Sequence, residues 1–351
     1  METLDLLRTL TEVAGPPGLE NSIREHIEEL WSPLVDEIRT DRLGNLIALQ
    51  VGDGAEPRPS VMVAAHMDEI GLIVTGIEGE FLRVQGLGGF DRRVLMGLEV
   101  RVHGRRELVG VVGSRPPHVL PSSERDKVLP WHELYVDVGM PAEALADLVR
   151  IGDHITVHQR LAALKNKRAA GKAMDNRASV AAVTLALELL QRYRHAWDVY
   201  AVATVQEEVG IKGAITSAYQ LSPDLAIALD VTFAKQHDDS KPGAFELGKG
   251  PTIGIGPNFH PQVVDRLKEV AATNEIPTEI EPLPGSSGTD AWRIQVAREG
   301  IPTGLISIPV RYMHQPVEMV DLRDVERAGR LLACFVADLD VGDLPRWEDE
   351  V

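Results

Sequence analysis

The residues best suited to chemistry are histidines and carboxylates that close runs of apolar residues. Val61-Met62-Val63-Ala64-Ala65 ends in His66, Lys172-Ala173-Met174 leads to Asp175, and Val202 to Gln206 ends in Glu207-Glu208. Leu225 to Leu229 ends in Asp230, and Ile306 to Val310 runs on to His314. Near-continuous apolar runs read as buried strands, and open α/β sheets bind ligands beyond the carboxyl ends of their strands. Five segments far apart in sequence thus deliver imidazole and carboxylate groups to one rim. Such groups without thiolates suit zinc, cobalt or manganese in a catalytic rather than a closed structural site.

Charge decides how many ions the set expects. With Asp175, Glu208 and Asp230 as ligands, two divalent metal ions and a bridging hydroxide bring the sum to zero. One ion leaves the cluster negative in a partly dry cleft, where uncompensated charge is costly. In His66-Met67-Asp68 the alternation of a strand puts the outer two residues on one face. Asp68 is therefore expected to accept from the His66 ring nitrogen that faces away from metal, fixing its tautomer. Adjacent residues of an extended segment diverge, so Glu207 and Glu208 are expected to divide into one ligand and one general base. The base would act on water whose pKa a metal pair brings down to about 7.

The elements that must carry these groups follow from periodicity. Leu4, Leu6-Leu7 and Leu10 recur at helical spacing before the break at Gly15-Pro16-Pro17-Gly18, and Ile23, Ile27 and Leu30 mark a second helix. Strands are expected at Val35 to Ile38, Leu46 to Val51 and Val61 to Ala65. From Gly71 to about His158 short β-like runs alternate with Gly and Pro turns, with one helical stretch near Pro141 to Val149, the texture of a small barrel or sandwich. Beyond Lys165 to Arg168, read as a solvated linker, helices at Arg177 to Tyr193, Gln262 to Ala272, Asp290 to Ala297 and Leu322 to Leu339 alternate with strands at Val199 to Val205, Leu225 to Leu229, Thr252 to Ile255 and Leu305 to Ile308. The expected fold class is α/β, a mostly parallel sheet flanked by helices with an inserted β-rich domain. Residues 1–69 and 165–351 would form the catalytic domain and residues 70–164 the insertion.

Composition narrows the classes further. The 351 residues are 44% hydrophobic and 25% charged, an ordinary globular profile. The net charge of −17 argues against nucleic acid as a partner. No apolar run reaches a membrane span. Cys334 is the only cysteine, and the opening Met1-Glu2-Thr3-Leu4-Asp5 has no basic n-region, so a cytoplasmic location is expected.

His66-Met67-Asp68-Glu69-Ile70-Gly71, Gly171-Lys172-Ala173-Met174-Asp175, Gln206-Glu207-Glu208-Val209-Gly210, Ala228-Leu229-Asp230 and Arg311-Tyr312-Met313-His314 resemble the glutamyl aminopeptidase and tetrahedral aminopeptidase family of dinuclear metallopeptidases. Gly110 to His118, Glu133 to Gly139 and Gly288-Thr289-Asp290-Ala291 add lesser matches, and the resemblance runs in order along nearly the whole chain. It implies a zinc-peptidase-like fold with a β-barrel-like insertion that serves dimerisation. It also implies two divalent ions per subunit, zinc or cobalt, one held by His66 and Asp230, the other by Glu208 and His314, with Asp175 bridging. Glu207 would be the general base and Asp68 the partner of His66. The partners implied are peptide substrates and further copies of the chain, as a dimer or a tetrahedral dodecamer whose interior admits only unfolded peptides. The chain departs at Asn176, where the family often carries a second acidic residue.

Each residue also has a plainer reading. His66 can be a surface or core histidine, Glu207-Glu208 a solvated strand end, Asp175 a helix N-cap and Asp230 the start of a turn. Gly285 to Asp290 can be a loop in which Thr289 or Asp290 caps the next helix. The expected function is a metal-dependent aminopeptidase that removes N-terminal residues from peptides. An N-acyl amino acid deacylase would use the same site on a blocked amine. A glycoside hydrolase would use a pair such as Glu207 and Asp230 without metal.

Overall fold

Leu6, Leu7 and Leu10 fall on one face of the first helix and are fully buried, so the helical period becomes a packed stripe. This computed structural model describes residues 2–119, 122, 127–237, 243–340 and 342. Helices α1 (Thr3–Glu12) and α2 (Asn21–Trp31) lead into strands β1 (Glu37–Thr40), β2 (Leu46–Gln50) and β3 (Ser60–His66). Strands β4 (Gly71–Glu78), β5 (Phe81–Leu87), β6 (Glu99–His103), β7 (Glu107–Gly113) and β8 (Tyr135–Asp137) follow, then the short helix α3 (Ala142–Leu148) and β9 (His154–Val157). A hairpin of β10 (Ala162–Leu164) and β11 (Arg168–Gly171) precedes α4 (Met174–Leu190). The rest is β12 (Asp198–Thr204), α5 (Lys212–Leu221), β13 (Leu225–Phe233), β14 (Thr252–Ile255), α6 (Pro261–Thr273), β15 (Glu279–Pro282), α7 (Asp290–Ile294), β16 (Thr303–Val310), β17 (Glu318–Asp321) and α8 (Leu322–Asp338).

Eight strands form one sheet in the order β1-β2-β12-β3-β13-β16-β14-β15. Its centre, β12-β3-β13-β16, is parallel, while β1, β2 and β14 add antiparallel contacts. The central strands are buried along almost their whole length, as helices on both faces require. α4 is buried nearly all round, the mark of a central rather than an amphipathic surface helix. Its Arg177, fully buried, donates to the carbonyls of Leu10 and Val13 at 2.7 and 3.3 Å, satisfying groups that the end of α1 leaves open. Among the described residues no helix is long and apolar enough to cross a membrane.

The second body is a closed barrel, β4-β5-β8-β7-β6-β9. Along β7 burial alternates strictly, Leu108 and Val112 pointing in while Val109 and Val111 point out. The inward residues make a core separate from that under the large sheet. β4 starts five residues after His66 and β9 ends shortly before the segment that carries Asp175, so the barrel hangs between two candidate ligands. Two expectations shift. The first strand lies at Glu37–Thr40 rather than Val35 to Ile38. Lys165 to Arg168 is the turn and first strand residue of the β10–β11 hairpin, not a linker, with Asn166 and Lys167 in the left-handed region that a tight turn needs.

Candidate metal centre

Register places the first two candidate ligands. β3 and β13 pair in parallel with Ala64 opposite Ala228. His66 and Asp230 each lie two residues further on, so they share a face and a level. Asp230 is inside β13, which continues to Phe233, so it does not start a turn. Asp175 sits at the entry to α4 with non-helical angles of φ −76° and ψ 102°, just after Ala173 at φ +57°. β12 stops at Thr204, Gln206 takes φ +56°, and Glu207 and Glu208 enter a turn. They are therefore not neighbours on an extended strand, and both line one cleft. His314, at φ +60°, lies in the loop between β16 and β17. Left-handed angles at non-glycine residues store strain and gather at functional sites.

Asp175 is the centre of the group. Its Oδ1 lies 3.1 Å from His66 Nε2, and its Oδ2 lies 3.3 Å from His314 Nε2. His66 Nε2 is also 3.9 Å from Asp230 Oδ1 and from Glu207 Oε2. His314 Nε2 is 3.7 Å from Glu208 Oε2. The atoms fall into two sets, His66–Asp175–Asp230 and Asp175–Glu208–His314, each within 4.8 Å. Neither set includes any other described histidine. Asp175 thus spends both oxygens on imidazoles and makes no side-chain cap for α4.

The electrostatics call for cations. Burial, then the repulsion of Asp175, pushes Glu208 well above the usual carboxylate range. Burial also lifts Asp230, with Asp175 and Glu207 adding to the rise against the pull of His66. Glu207 is pushed up to about 8 by burial, with Asp290 and Asp175 raising it further and His66 opposing. Burial would raise Asp175 too, but the hydrogen bonds to His314 and His66 outweigh it and hold that carboxyl well below its ordinary value. Among the described residues no Lys or Arg lines the cleft, so the protein supplies no fixed positive charge to offset these acids. A donor set of buried oxygens and imidazole nitrogens with that deficit fits divalent metal.

Asp68 departs from expectation in its contact. β3 ends at His66, so strand alternation no longer governs residue 68. His66 Nδ1 faces the Asp68 backbone carbonyl at 3.2 Å, while the nearer carboxylate oxygen is at 3.5 Å. The Asp68 carboxylate instead accepts the backbone N–H groups of Glu207 and Glu208 at 3.0 and 3.1 Å. It holds the tautomer of His66 through its main chain and the Glu207-Glu208 turn through its side chain. Asn176 donates Nδ2 to the carbonyl of Leu229 at 2.9 Å, one residue before Asp230, a contact that an ionised acid could not make.

The profile of the M42 glutamyl aminopeptidase family matches residues 44–331. The chain belongs to this family. It is 38% identical over 341 residues to the lysyl aminopeptidase of Pyrococcus furiosus, covering 95% of this chain and 97% of that one. The TET aminopeptidase of a marine sediment archaeon of the Thaumarchaeota superposes with a TM-score of 0.93 at 33% identity, covering 98% of each chain. A Pyrococcus horikoshii TET peptidase, which assembles into a tetrahedron or a large octahedral shell, is 33% identical with a TM-score of 0.83, covering 96% of this chain and all of that one. This M42 member is therefore a metal-dependent aminopeptidase, a hydrolase of peptide bonds.

The M42 site opens into a cleft of about 520 Å³. A wider cleft of about 800 Å³ at the start of β16, lined by Ser222, Pro257 and Pro302, gathers none of these ligands. Three contributors escape the sequence reading. Glu318 accepts the backbone N–H of Asp175 at 3.0 Å and that of His314 at 2.9 Å, so one carboxylate ties both ends of the second ligand set. Its only trace in the sequence is an acid alternating with apolar residues in Val317-Glu318-Met319-Val320. Gly88 and Gly89, in the barrel after β5, reach the centre. A methyl group at Gly89 would lie 2.6 Å from His314 Nδ1, and one at Gly88 3.0 Å from Glu208 Oε2. Asp290 does not cap α7; it accepts from Thr204 Oγ1 at 2.6 Å and, raised to about 6 by burial, adds negative potential beside Glu207.

Proposed function

We propose that this enzyme is a dinuclear aminopeptidase, with His66 and Asp230 holding one divalent ion, Glu208 and His314 the other, and Asp175 bridging them. The observation that carries this reading is Asp175 itself, whose two oxygens face two imidazoles at 3.1 and 3.3 Å. Zinc and cobalt both accept this donor set. Bound there, such ions polarise the scissile carbonyl and lower the pKa of water. The chain's own residues do the rest. Glu207, buried at the cleft wall and in neither ligand set, takes a proton from the attacking water and passes it to the leaving amine nitrogen. Asp68 and Glu318 hold the ligand-bearing backbones still through amide contacts, which keeps the reacting groups in register. In this reading the substrate's free N-terminal amine would lie on the Asp230 side, and a screen of N-acyl against free-amine substrates separates the enzyme from a deacylase, because an aminopeptidase should reject a blocked amine. The barrel makes a subunit contact, as the exposed Val109 and Val111 of β7 support, and shells of related TET peptidases favour a homo-oligomer. The lone, buried Cys334 fits a reducing, cytoplasmic setting.

Glu207→Gln tests the assignment. Hydrolysis of aminoacyl anilides should fall by about 10²–10⁴-fold while metal analysis finds the ions retained; a variant that keeps wild-type turnover refutes Glu207 as base. Chelation tests the metal requirement. Activity should vanish and return on adding zinc or cobalt, whereas a carboxylate-pair glycosidase would survive the chelator.

A further inference from the structure

The cleft holds one acid that neither ligand set nor the base uses. Glu281, on β15, is 8% exposed and lines the same cleft as the metal-binding residues. Its Oε1 accepts from Thr232 Oγ1, and its Oε2 accepts from Thr252 Oγ1 at 2.7 Å. Threonine hydroxyls supply hydrogen bonds but no charge. Among the described residues no Lys, Arg or His makes an ion pair with Glu281, and none but His66 and His314 lines the cleft as a base. A carboxylate taken out of water without a counter-ion is costly, and the open side of this one is the cleft.

Distance says what can reach it. Thr232 stands two residues beyond Asp230 on β13, on the same face, so its hydroxyl is about 6–7 Å along the strand from the metal-side carboxylate. A lysine side chain spans about that length on its four-carbon stem. Leu283, Leu305 and Phe245 give apolar wall for the methylenes between. An acidic N-terminal side chain in the same place would meet Glu281 with no positive charge in the described lining to receive it.

We propose that Glu281 makes the cleft selective for peptides whose N-terminal residue is basic, lysine or arginine, with the side-chain cation seated against this carboxylate. The inference rests on the aminopeptidase reading above, which puts the free amine beside Asp230 and so points the side chain along β13.

The test compares anilides of lysine, Nε-acetyl-lysine, leucine and glutamate with the metal-loaded enzyme. Lysyl and acetyl-lysyl substrates share length and differ in charge, so wild-type kcat/KM should favour lysyl by about tenfold or more, with glutamyl the poorest. Glu281→Gln keeps the hydroxyl partners but removes the charge, and should draw the lysyl to acetyl-lysyl ratio toward one. Equal wild-type rates on lysyl and acetyl-lysyl substrates overturn the inference while leaving the aminopeptidase reading intact. So does an unchanged ratio in a Glu281→Gln protein that melts like wild type. If that variant does not fold, the wild-type comparison decides alone. Cleavage of N-acyl amino acids with none of the free-amine anilides cleaved overturns both.

Discussion

Glu318 and Asp68 are acids that face backbone amides rather than metal, and together they brace four of the groups at the centre. A carboxylate that accepts two N–H groups from separate segments fixes the distance between them, here Asp175 and His314 for Glu318, and supports of this kind commonly cost 10–100-fold in metal affinity when removed. Glu318→Ala leaves the His314 and Asp175 amides without their acceptor and should weaken metal binding by about that factor, read by titration against a chromogenic chelator. Metal affinity equal to wild type in a folded variant would show that the loop holds its shape without Glu318. The same residues mark what the sequence could and could not disclose. His66, Asp175, Glu208, Asp230 and His314 stand out in the sequence because each follows a largely apolar stretch, and the structure brings their side chains to one centre although only His66 ends a strand. Glu318 does not, since its work depends on a contact between the start of β17 and the entry to α4, segments far apart in the chain that share no local pattern.

At the level of elements, the Glu207-Glu208 turn depends on how closely α5 approaches β12. Gly213, in the first turn of α5, donates its N–H to the Val205 carbonyl at 3.0 Å. An added methyl group would press on Asn45 Oδ1 and come within 2.5 Å of Val205 N. Asn45 has no freedom to yield, because its side chain is already spent on Val205 N, Gly213 O, Asp41 and Thr216. Gly213→Ala should therefore destabilise the fold by about 1–3 kcal/mol, the usual cost of overpacking, and lower the melting temperature in a calorimetric scan; an unshifted transition would mean that α5 can slide outward without penalty. Periodicity recovered the alternation of helices and strands, and even set the start of the long helix at Arg177, where regular turns begin after the irregular angles of Asp175 and Asn176. It recovered the barrel only as a texture of short strands. Closure is set by pairings such as β4 with β9, residues Leu72 and Ile155, which lie far apart in the chain. Strand order likewise comes from long-range register, so the sheet's permuted order was beyond a local pattern.

For the whole molecule, the proposed homo-oligomer must bring together subunits that each carry a net charge of −17. Like charge opposes association over roughly a Debye length, about 8 Å at physiological salt, so contact must be driven by apolar surface. The barrel offers it. Val109 and Val111 point outward from β7 at 55% and 50% exposure, and Phe81 of β5 stands at 38%. A valine fully buried is worth about 1.5–3 kcal/mol, and a symmetric contact counts each residue twice. Placing a carboxylate there removes that gain and adds an unpaired charge to a drying surface. Val111→Glu should therefore lower the assembly's mass in light scattering and shift the remaining association to higher salt, while the barrel core, which residue 111 faces away from, stays folded. The predicted loss separates the two surfaces that could join copies. Ile215, Tyr219 and Val296 form another exposed apolar group on α5 and just beyond the end of α7, far from β7 in the chain. If Val111→Glu leaves the mass unchanged at every salt concentration, the barrel is not the contact and that second group is the place to substitute next.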